Sequence, residues 1–446
     1  MGNLNDTKNI EADLIELRIE STAFGGKGVA RKDGKVFFVE GAVAGDVALC
    51  AVVEASDRYS EARVVKLVEP SVHRGPSPCP VSDVCGGCQW QGIPYETQLE
   101  WKKSFVLNAL KRIGKIDNPV EIEMMPSPRT NGYRNRIFMR ARLQPNGQIH
   151  LGYFKRASQD FVSIESCPIA VTRINEFIKT VKDLSFASEC KNANVASEVK
   201  FRLEVQDLPS ESSSSGHLLV SIYDPDDKNF PIESIIEKIR LMPSVKWCGN
   251  SRELHNSPFV LFENNLERQF HTAPGIFQQI NIDHNHSVRA MVIDTVDKFQ
   301  PERILDVFCG SGNLSLALAD GKRTIDGIEY SKRAIEVAKH NVSSQGLKNA
   351  NYYSGDTEKF LWRVAKQGIR YDLIIADPPR EGMFKALIPM MKIRPQQIIY
   401  ISCDPTTLSR DLSSLCRSIY KITKFVALDF FPNTYHIESF VILEAK

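Results

Sequence analysis

From about Thr272 onward the chain alternates short apolar runs with helical stretches. Arg303-Ile-Leu-Asp-Val, Thr324-Ile-Asp-Gly-Ile-Glu, Asn351-Tyr-Tyr, Leu373-Ile-Ile-Ala-Asp and Gln397-Ile-Ile-Tyr-Ile read as strands, and helical stretches such as 331–344 lie between them. Few folds accommodate this rhythm. Parallel neighbours need a crossover, the crossover is a helix, and helices on both faces leave the strands apolar on both sides. The expected fold is therefore α/β, a doubly wound, Rossmann-like parallel sheet. Ligands in such sheets bind beyond the carboxyl ends of the strands, where strand order reverses.

The first strand runs into Asp306-Val-Phe-Cys-Gly-Ser-Gly-Asn. Gly310 and Gly312 let backbone approach a ligand closely. Glu329 ends the next strand about twenty residues on, where an acid can accept both ribose hydroxyls. Asp356 and Asp377 stand at later strand ends. The set points to a nucleoside-type cofactor. No third glycine completes a dinucleotide fingerprint, so a methyl donor fits better than a nicotinamide.

Cys403 follows an apolar strand in Tyr400-Ile-Ser-Cys-Asp-Pro. A free cysteine is often only a packing residue, but a strand-end loop is where catalytic groups sit. Attack requires the thiolate. The neighbouring Asp404 raises the thiol pKa, so another group must assist. Near the end of the chain, Asn433-Thr-Tyr-His-Ile-Glu interrupts apolar strands, and His436 or Glu438 is placed to act as a general base.

The rest of the chain reads differently. Residues 1–11 form a loose polar tail. Residues 12–70 hold four or five short alternating strands punctuated by Gly25-Gly-Lys-Gly and Asp33-Gly, which suggests a small OB-like β-barrel. Residues 71–270 read as a central, mainly β domain with helices at 95–113, 170–184 and 232–241, and an exposed loop at 210–216. The Rossmann-like segment is 271–446. The run Asn131-Gly-Tyr-Arg-Asn-Arg-Ile-Phe-Met-Arg interleaves aromatics with arginine, which suits phosphate contact and base stacking and also suits a plain strand.

Cys79-Pro-Val-Ser-Asp-Val-Cys85-Gly-Gly-Cys88 places three cysteines within ten residues. Gly86 and Gly87 let the backbone wrap a metal and aim N–H groups at sulfur. A fourth ligand is needed for zinc or an iron–sulfur cluster. Cys167, which like Cys79 precedes a proline, is the best candidate, ahead of His73 and His150. The residue types leave zinc and iron–sulfur both open. Cys50, Cys190, Cys248, Cys309 and Cys416 read as packing residues.

The 446 residues suit two to four domains. No apolar run approaches the ~20 residues of a membrane span, and the polar N-terminus lacks a secretory h-region. A cytoplasmic protein is expected, its thiols reduced. Net charge is only +2, yet between Lys102 and Arg142 ten Lys/Arg face three Asp/Glu, a balance of 10 − 3 = +7. That patch can face phosphate.

Taken together, these motifs resemble the RNA uracil-C5 methyltransferase family, and within it the iron–sulfur, TRAM-containing 23S rRNA branch. The resemblance covers almost the whole chain. It implies a TRAM barrel near the N-terminus and a [4Fe-4S] cluster on Cys79, Cys85, Cys88 and Cys167. Phe277-Gln-Gln279-Ile-Asn281 is similar to the family's F-x-Q-x-N element. Gln279, Phe308, Asn313, Glu329, Asp356 and Asp377 would then bind S-adenosylmethionine. Cys403 would be the nucleophile and Glu438 the base. The family usually has Asn where this chain has Asp404, a difference that bears on the tuning of the thiol. The implied partner is 23S rRNA, with tRNA as the alternative substrate and a catalytically silent RNA-binding protein as the other rival. No membrane and no obligate protein partner are implied, and a monomer is expected.

Overall fold

The computed structural model describes residues 14–446, except 118–119, 210–216, 224, 227–229 and 266–267. The expected N-terminal tail and the serine-rich loop at 210–216 lie outside the described residues.

Six strands open the chain: β1 (Leu14–Arg18), β2 (Ser21–Thr22), β3 (Gly28–Lys32), β4 (Lys35–Glu40), β5 (Val47–Ala55) and β6 (Tyr59–Glu69). Their order is β1-β5-β6-β4-β3-β2. Only Ile19 and Glu20 separate β1 from β2, yet these strands occupy opposite edges of the order. The sheet therefore curls back on itself as a small barrel, around Leu17, Ala30, Val39, Ala48 and Cys50.

Helix α1 (Tyr95–Ala109) and strand β7 (Ile122–Met125) follow. The central sheet comprises β8 (Arg136–Leu143), β9 (Ile149–Phe154), β10 (Phe161–Ser163), β11 (Val199–Leu208), β12 (His217–Tyr223) and β13 (Val245–Asn250), in the order β10-β9-β8-β11-β12-β13. Helices α2 (Thr172–Asp183), α3 (Ala187–Asn192) and α4 (Ile232–Arg240) supply residues to the core on one face of this sheet. Alternation fixes the register: Ile137, Met139, Ala141 and Leu143 of β8 enter that core, and the residues between them point the other way. A hairpin of β14 (Val260–Asn265) and β15 (Arg268–Thr272) leads to α5 (Ile282–Phe299).

The C-terminal unit contains β16 (Arg303–Val307), β17 (Thr324–Glu329), α6 (Lys332–Ser344), β18 (Ala350–Ser354), α7 (Thr357–Lys366) and β19 (Leu373–Ala376). It continues with α8 (Phe384–Ile393), β20 (Gln397–Ser402), α9 (Pro405–Arg417), β21 (Tyr420–Leu428) and β22 (Glu438–Ala445). The strand order is β18-β17-β16-β19-β20-β22-β21-β7. Alternate residues of one strand feed opposite cores: Leu373 and Ile375 join Val292 and Ile335, whereas Ile374 and Ala376 join Leu361, Leu387 and Leu412. Burial on both faces is why these strands read as unbroken apolar runs.

Two features depart from a purely parallel sheet. Strand β22 inserts antiparallel between β20 and β21. Strand β7, from the part of the chain ahead of the central sheet, pairs parallel with β21 and forms the edge. The eight-stranded sheet thus draws on residues from both sides of position 271. Its order reverses between β16 and β19, which opens a crevice at their carboxyl ends.

Candidate active site

Strand register assembles the site. Val307 pairs with Ala376 of β19 and Ile328 of β17, and Ala376 pairs with Tyr400 of β20. The carboxyl ends carrying Phe308, Glu329, Asp377 and Cys403 therefore lie side by side. Ser402 pairs with Ser439 across the antiparallel ladder, which brings Glu438 next to Cys403.

The electrostatics follow from that crowding. Burial pushes the Cys403 thiol up to about 12, and the charges of Glu438, Asp377 and Asp404 push the same way, while the Arg380 guanidinium opposes them. Glu438 is only 4% exposed. Its carboxyl is held well above the usual range by burial and by Asp377, again opposed by Arg380. Burial raises Asp377 to about 7. His436 is driven down to about 4 by burial and by Arg380, Arg134 and Lys102, so its imidazole is neutral at pH 7.

Asp404 has a structural task. It is the N-cap of α9, accepting from Thr406 N at 2.8 Å and Thr407 N at 3.1 Å. Its charge is thus partly met by the helix N-terminus, and the thiol lies one residue before that positive end. Thr407 Oγ1 donates to Arg380 O at 2.9 Å and Arg410 to Glu381 O at 2.8 Å, so the Arg380 loop is fastened to the first turns of α9.

Beside this corner lies a cavity of about 50 Å³, lined by Gln279, Phe308, Asn313 and Asp377 together with Asp306, Phe277 and Gly310. Phe308 holds a left-handed φ of 64° and Gly312 one of 83°, a tight reversal that turns backbone toward the cavity. Glu329 borders it, accepting from Gly310 N at 3.3 Å and Ser331 N at 2.8 Å. Asn313 is held by Arg289 and by a reciprocal amide pair with Asn285. Asp306 Oδ1 is buried and accepts no hydrogen bond. The other carboxyl oxygen accepts from Ser315 at 2.5 Å, and burial lifts the group to about 7. An unsatisfied buried carboxyl oxygen at the cavity wall fits a site built for a polar, cationic ligand. Asp356 lies apart: it caps α7 through Lys359 N at 2.9 Å and lines a neighbouring open cleft with Ile328 and Tyr353.

Comparison with known proteins agrees with this geometry. The tRNA (uracil-5-)-methyltransferase family model matches residues 261–446, and the TRAM domain model matches residues 13–65. An uncharacterized RNA methyltransferase of Protochlamydia amoebophila is 32% identical over 437 residues, covering 96% of this chain and 97% of its own. The chain belongs to the RNA uracil-5-methyltransferase family. With membership goes the activity class, methyl transfer from S-adenosylmethionine to C5 of uracil in RNA. A second RNA methyltransferase, from Halalkalibacterium halodurans, is 29% identical over 454 residues, covering 97% of each chain. The fold is shared with the Pyrococcus abyssi tRNA (uracil-54, C5)-methyltransferase solved with S-adenosyl-L-homocysteine: TM-score 0.68, 23% identity, 96% of this chain and 100% of that one.

Away from this corner, Cys79, Cys85, Cys88 and Cys167 line a single cavity with Val81, Tyr153, Ile164, Ile169 and Arg134. Gly87 N points at Cys85 Sγ at 3.4 Å, and Tyr153 hydrogen-bonds Cys167. Burial drives the Cys88 thiol up to about 12. Among the described residues no group of three His, Cys, Asp or Glu side chains is placed to hold a metal ion. His73 and His150 do not line this cavity. Cys50, Cys190, Cys248 and Cys309 are buried in apolar clusters, and Cys416 packs against one. No helix among the described residues is long and apolar enough to cross a membrane.

Sequence reading missed the clamp on the loop between β21 and β22. Lys102 of α1 pairs with Asp429 at 2.5 Å, both fully buried, and also reaches Phe431 O at 3.0 Å. Asn433, at φ 66°, exchanges hydrogen bonds with Gln98 and donates to Thr130 O, while Tyr133 donates to Pro432 O. Arg380 also escapes sequence reading, although it lies just beyond Asp377 in Asp377-Pro-Pro-Arg. Nothing local marks such an arginine as facing a thiol.

Proposed function

We propose that this chain methylates C5 of a specific uracil in 23S rRNA, with Cys403 as nucleophile and Glu438 as general base. The observation that carries the reading is the meeting of a buried thiol, a carboxyl of raised pKa and a cavity at the sheet's switch point. Gln279, Phe308, Asn313, Glu329 and Asp377 would hold S-adenosylmethionine, with Asp356 reaching its outer end from the adjoining cleft. When bound, that cofactor supplies an electrophilic methyl group.

Uracil C5 is too weakly nucleophilic to take the methyl unaided. Addition of the Cys403 thiolate to C6 pushes electron density onto C5. C5 then takes up the methyl group, Glu438 removes the C5 proton, and elimination frees Cys403. Arg380 and the N-terminus of α9 favour the thiolate when the base enters. The uracil must leave its stack at a cost of about a few kcal/mol unless the RNA is already open.

Cys79, Cys85, Cys88 and Cys167 would hold a [4Fe-4S] cluster, a reading supported by four thiols on one cavity and by a backbone N–H aimed at sulfur. Methyl transfer moves no electron, so the cluster would serve structure or RNA contact rather than redox chemistry. The working division is a barrel at 12–70, a central unit at 71–270 and a methyltransferase unit at 271–446, with α1 and β7 lent to the last. The place of work is the cytoplasm.

A second reading is a tRNA substrate, as for the Pyrococcus abyssi tRNA (uracil-54, C5)-methyltransferase that shares this fold. Incubation with S-adenosylmethionine and unmodified 23S rRNA or tRNA transcripts, followed by mapping of 5-methyluridine, separates the two. Methyl in 23S rRNA alone is expected. Methyl in tRNA alone overturns the substrate, and methyl in neither overturns the activity on these RNAs.

A further inference from the structure

The central sheet has two unlike faces. One is closed by α2, α3 and α4. On the other, β14 covers Leu208 and Leu219 at one end and Glu204 is buried against Arg136, while over β8, β9 and the start of β11 cross-strand register lines up a band of arginines and aromatics. Phe138, Arg140 and Arg142 alternate along β8 with the core residues. Arg140 faces Arg202 of β11 on one side and Gly152 of β9 on the other. Residues directly opposite in an antiparallel pair share a face, so Phe154, two residues beyond Gly152, lies on the same side.

The contacts bear this out. The Arg140 guanidinium lies 4.3 Å from the Phe154 ring centroid, and Arg142 lies 4.5 Å from that of Phe161. Arg202 sits over Tyr223 at 5.5 Å. Phe138, a large apolar ring, is 51% exposed. A Cβ on Gly152 would collide with the Val162 carbonyl oxygen and meet the Phe161 ring at 3.0 Å, so glycine is what lets β10, with Phe161, lie this close to β9. Arg142 is engaged by Glu198 at 3.2 Å, whereas among the described residues Arg140 pairs with no carboxylate.

We propose that this open face is a platform for the single-stranded RNA that flanks the target uracil; the inference rests on the RNA methyltransferase reading. Flat guanidinium–aromatic pairs offer stacking surfaces that any base can use, and their charge meets phosphate. The band is continuous with the active site. Arg136, at the start of β8, donates to Ile276 O at 2.8 Å, and Asn135 N donates to Ile280 O at 3.0 Å. These carbonyls belong to the loop whose Phe277 and Gln279 line the cofactor cavity. From Arg136 to Arg142 the strand runs about 20 Å, room for a few nucleotides leaving the catalytic pocket.

The test uses the full chain and a fluorescein-labelled single-stranded oligouridine, read by anisotropy at several salt concentrations. Phe138→Ala should weaken binding about tenfold with the salt dependence unchanged. Arg140→Gln should weaken it and lower the slope of log affinity against log salt by about 0.7. Both variants should bind S-adenosylmethionine as the wild type does, which reports that they are folded. Wild-type RNA affinity in both folded variants, with the parent chain active on its transcript, overturns the platform alone. Absence of both RNA binding and methyl transfer in the parent chain overturns the methyltransferase reading and the platform with it.

Discussion

Ser402 and Ser439 are opposite each other in the β20–β22 ladder, and this one register sets Cys403 beside Glu438. The two are 35 residues apart in the chain. An antiparallel strand inserted into an otherwise parallel sheet joins them, and the consequences can be measured.

The thiol's environment is the first. Asp404 adds to the charges that raise Cys403, and it caps α9. Asn caps as well as Asp. Asp404→Asn should therefore leave stability within about 0.5 kcal/mol and make Cys403 alkylate faster at pH 8 in the free enzyme. Mass-spectrometric timing of iodoacetamide labelling reads this directly. Slower labelling would show that the carboxylate does not raise the thiol.

The second concerns proton linkage. Asp306 and Asp377 hold protons to about pH 7 in the folded chain, against about 3.9 when unfolded. The folded state thus binds more protons across this window. The stability these carboxyls contribute is fully present below about pH 4 and is lost as pH rises through about 7. Asp377→Asn removes one of the two groups. Its urea midpoint should gain on that of the wild type between pH 5 and pH 8; a constant difference would refute the raised carboxyl.

The Lys102–Asp429 pair offers a third. Removing one partner of a buried ion pair leaves an uncompensated charge, at a cost of about 3–5 kcal/mol. Lys102→Ala should lower the unfolding midpoint sharply, and Lys102→Met combined with Asp429→Leu should recover much of the loss. Because the pair anchors the loop that carries His436 and leads into Glu438 at the start of β22, the single variant should also lose methyl transfer. A Lys102→Ala protein as stable as wild type would show that the clamp is dispensable.

The thiol cavity gives the fourth. Protein purified under nitrogen should carry about four irons and four sulfides per chain, and Cys167→Ser should lower both. Iron-free protein with zinc in its place would replace the cluster by the other metal the cysteine pattern allows.

Much of the fold was legible in the sequence because local pattern decided it. Strands buried on both faces read as apolar runs, and Gly310 and Gly312 marked the turn that follows the first of them. The residues proposed for the cofactor, Asp356 apart, could be expected near one another because strand ends in such a sheet converge by topology. Other features depended on distant pairing. Ile122-Glu-Met-Met is a short run with no strong period, and only its pairing with β21 makes it a strand. The antiparallel β22 looks the same in sequence as another parallel strand. Lys102 reads as one more charge on a basic helix; its burial against Asp429 depends on a contact 327 residues away.

The most direct test of the account is a search for the covalent protein–RNA adduct. Glu438→Gln, incubated with S-adenosylmethionine and its RNA transcript, should migrate on a denaturing gel as a complex joined through Cys403, because the C5 proton can no longer be removed. Adding Cys403→Ala should abolish the adduct and all methyl transfer. Methylated uracil produced by the Cys403→Ala chain would contradict the mechanism outright.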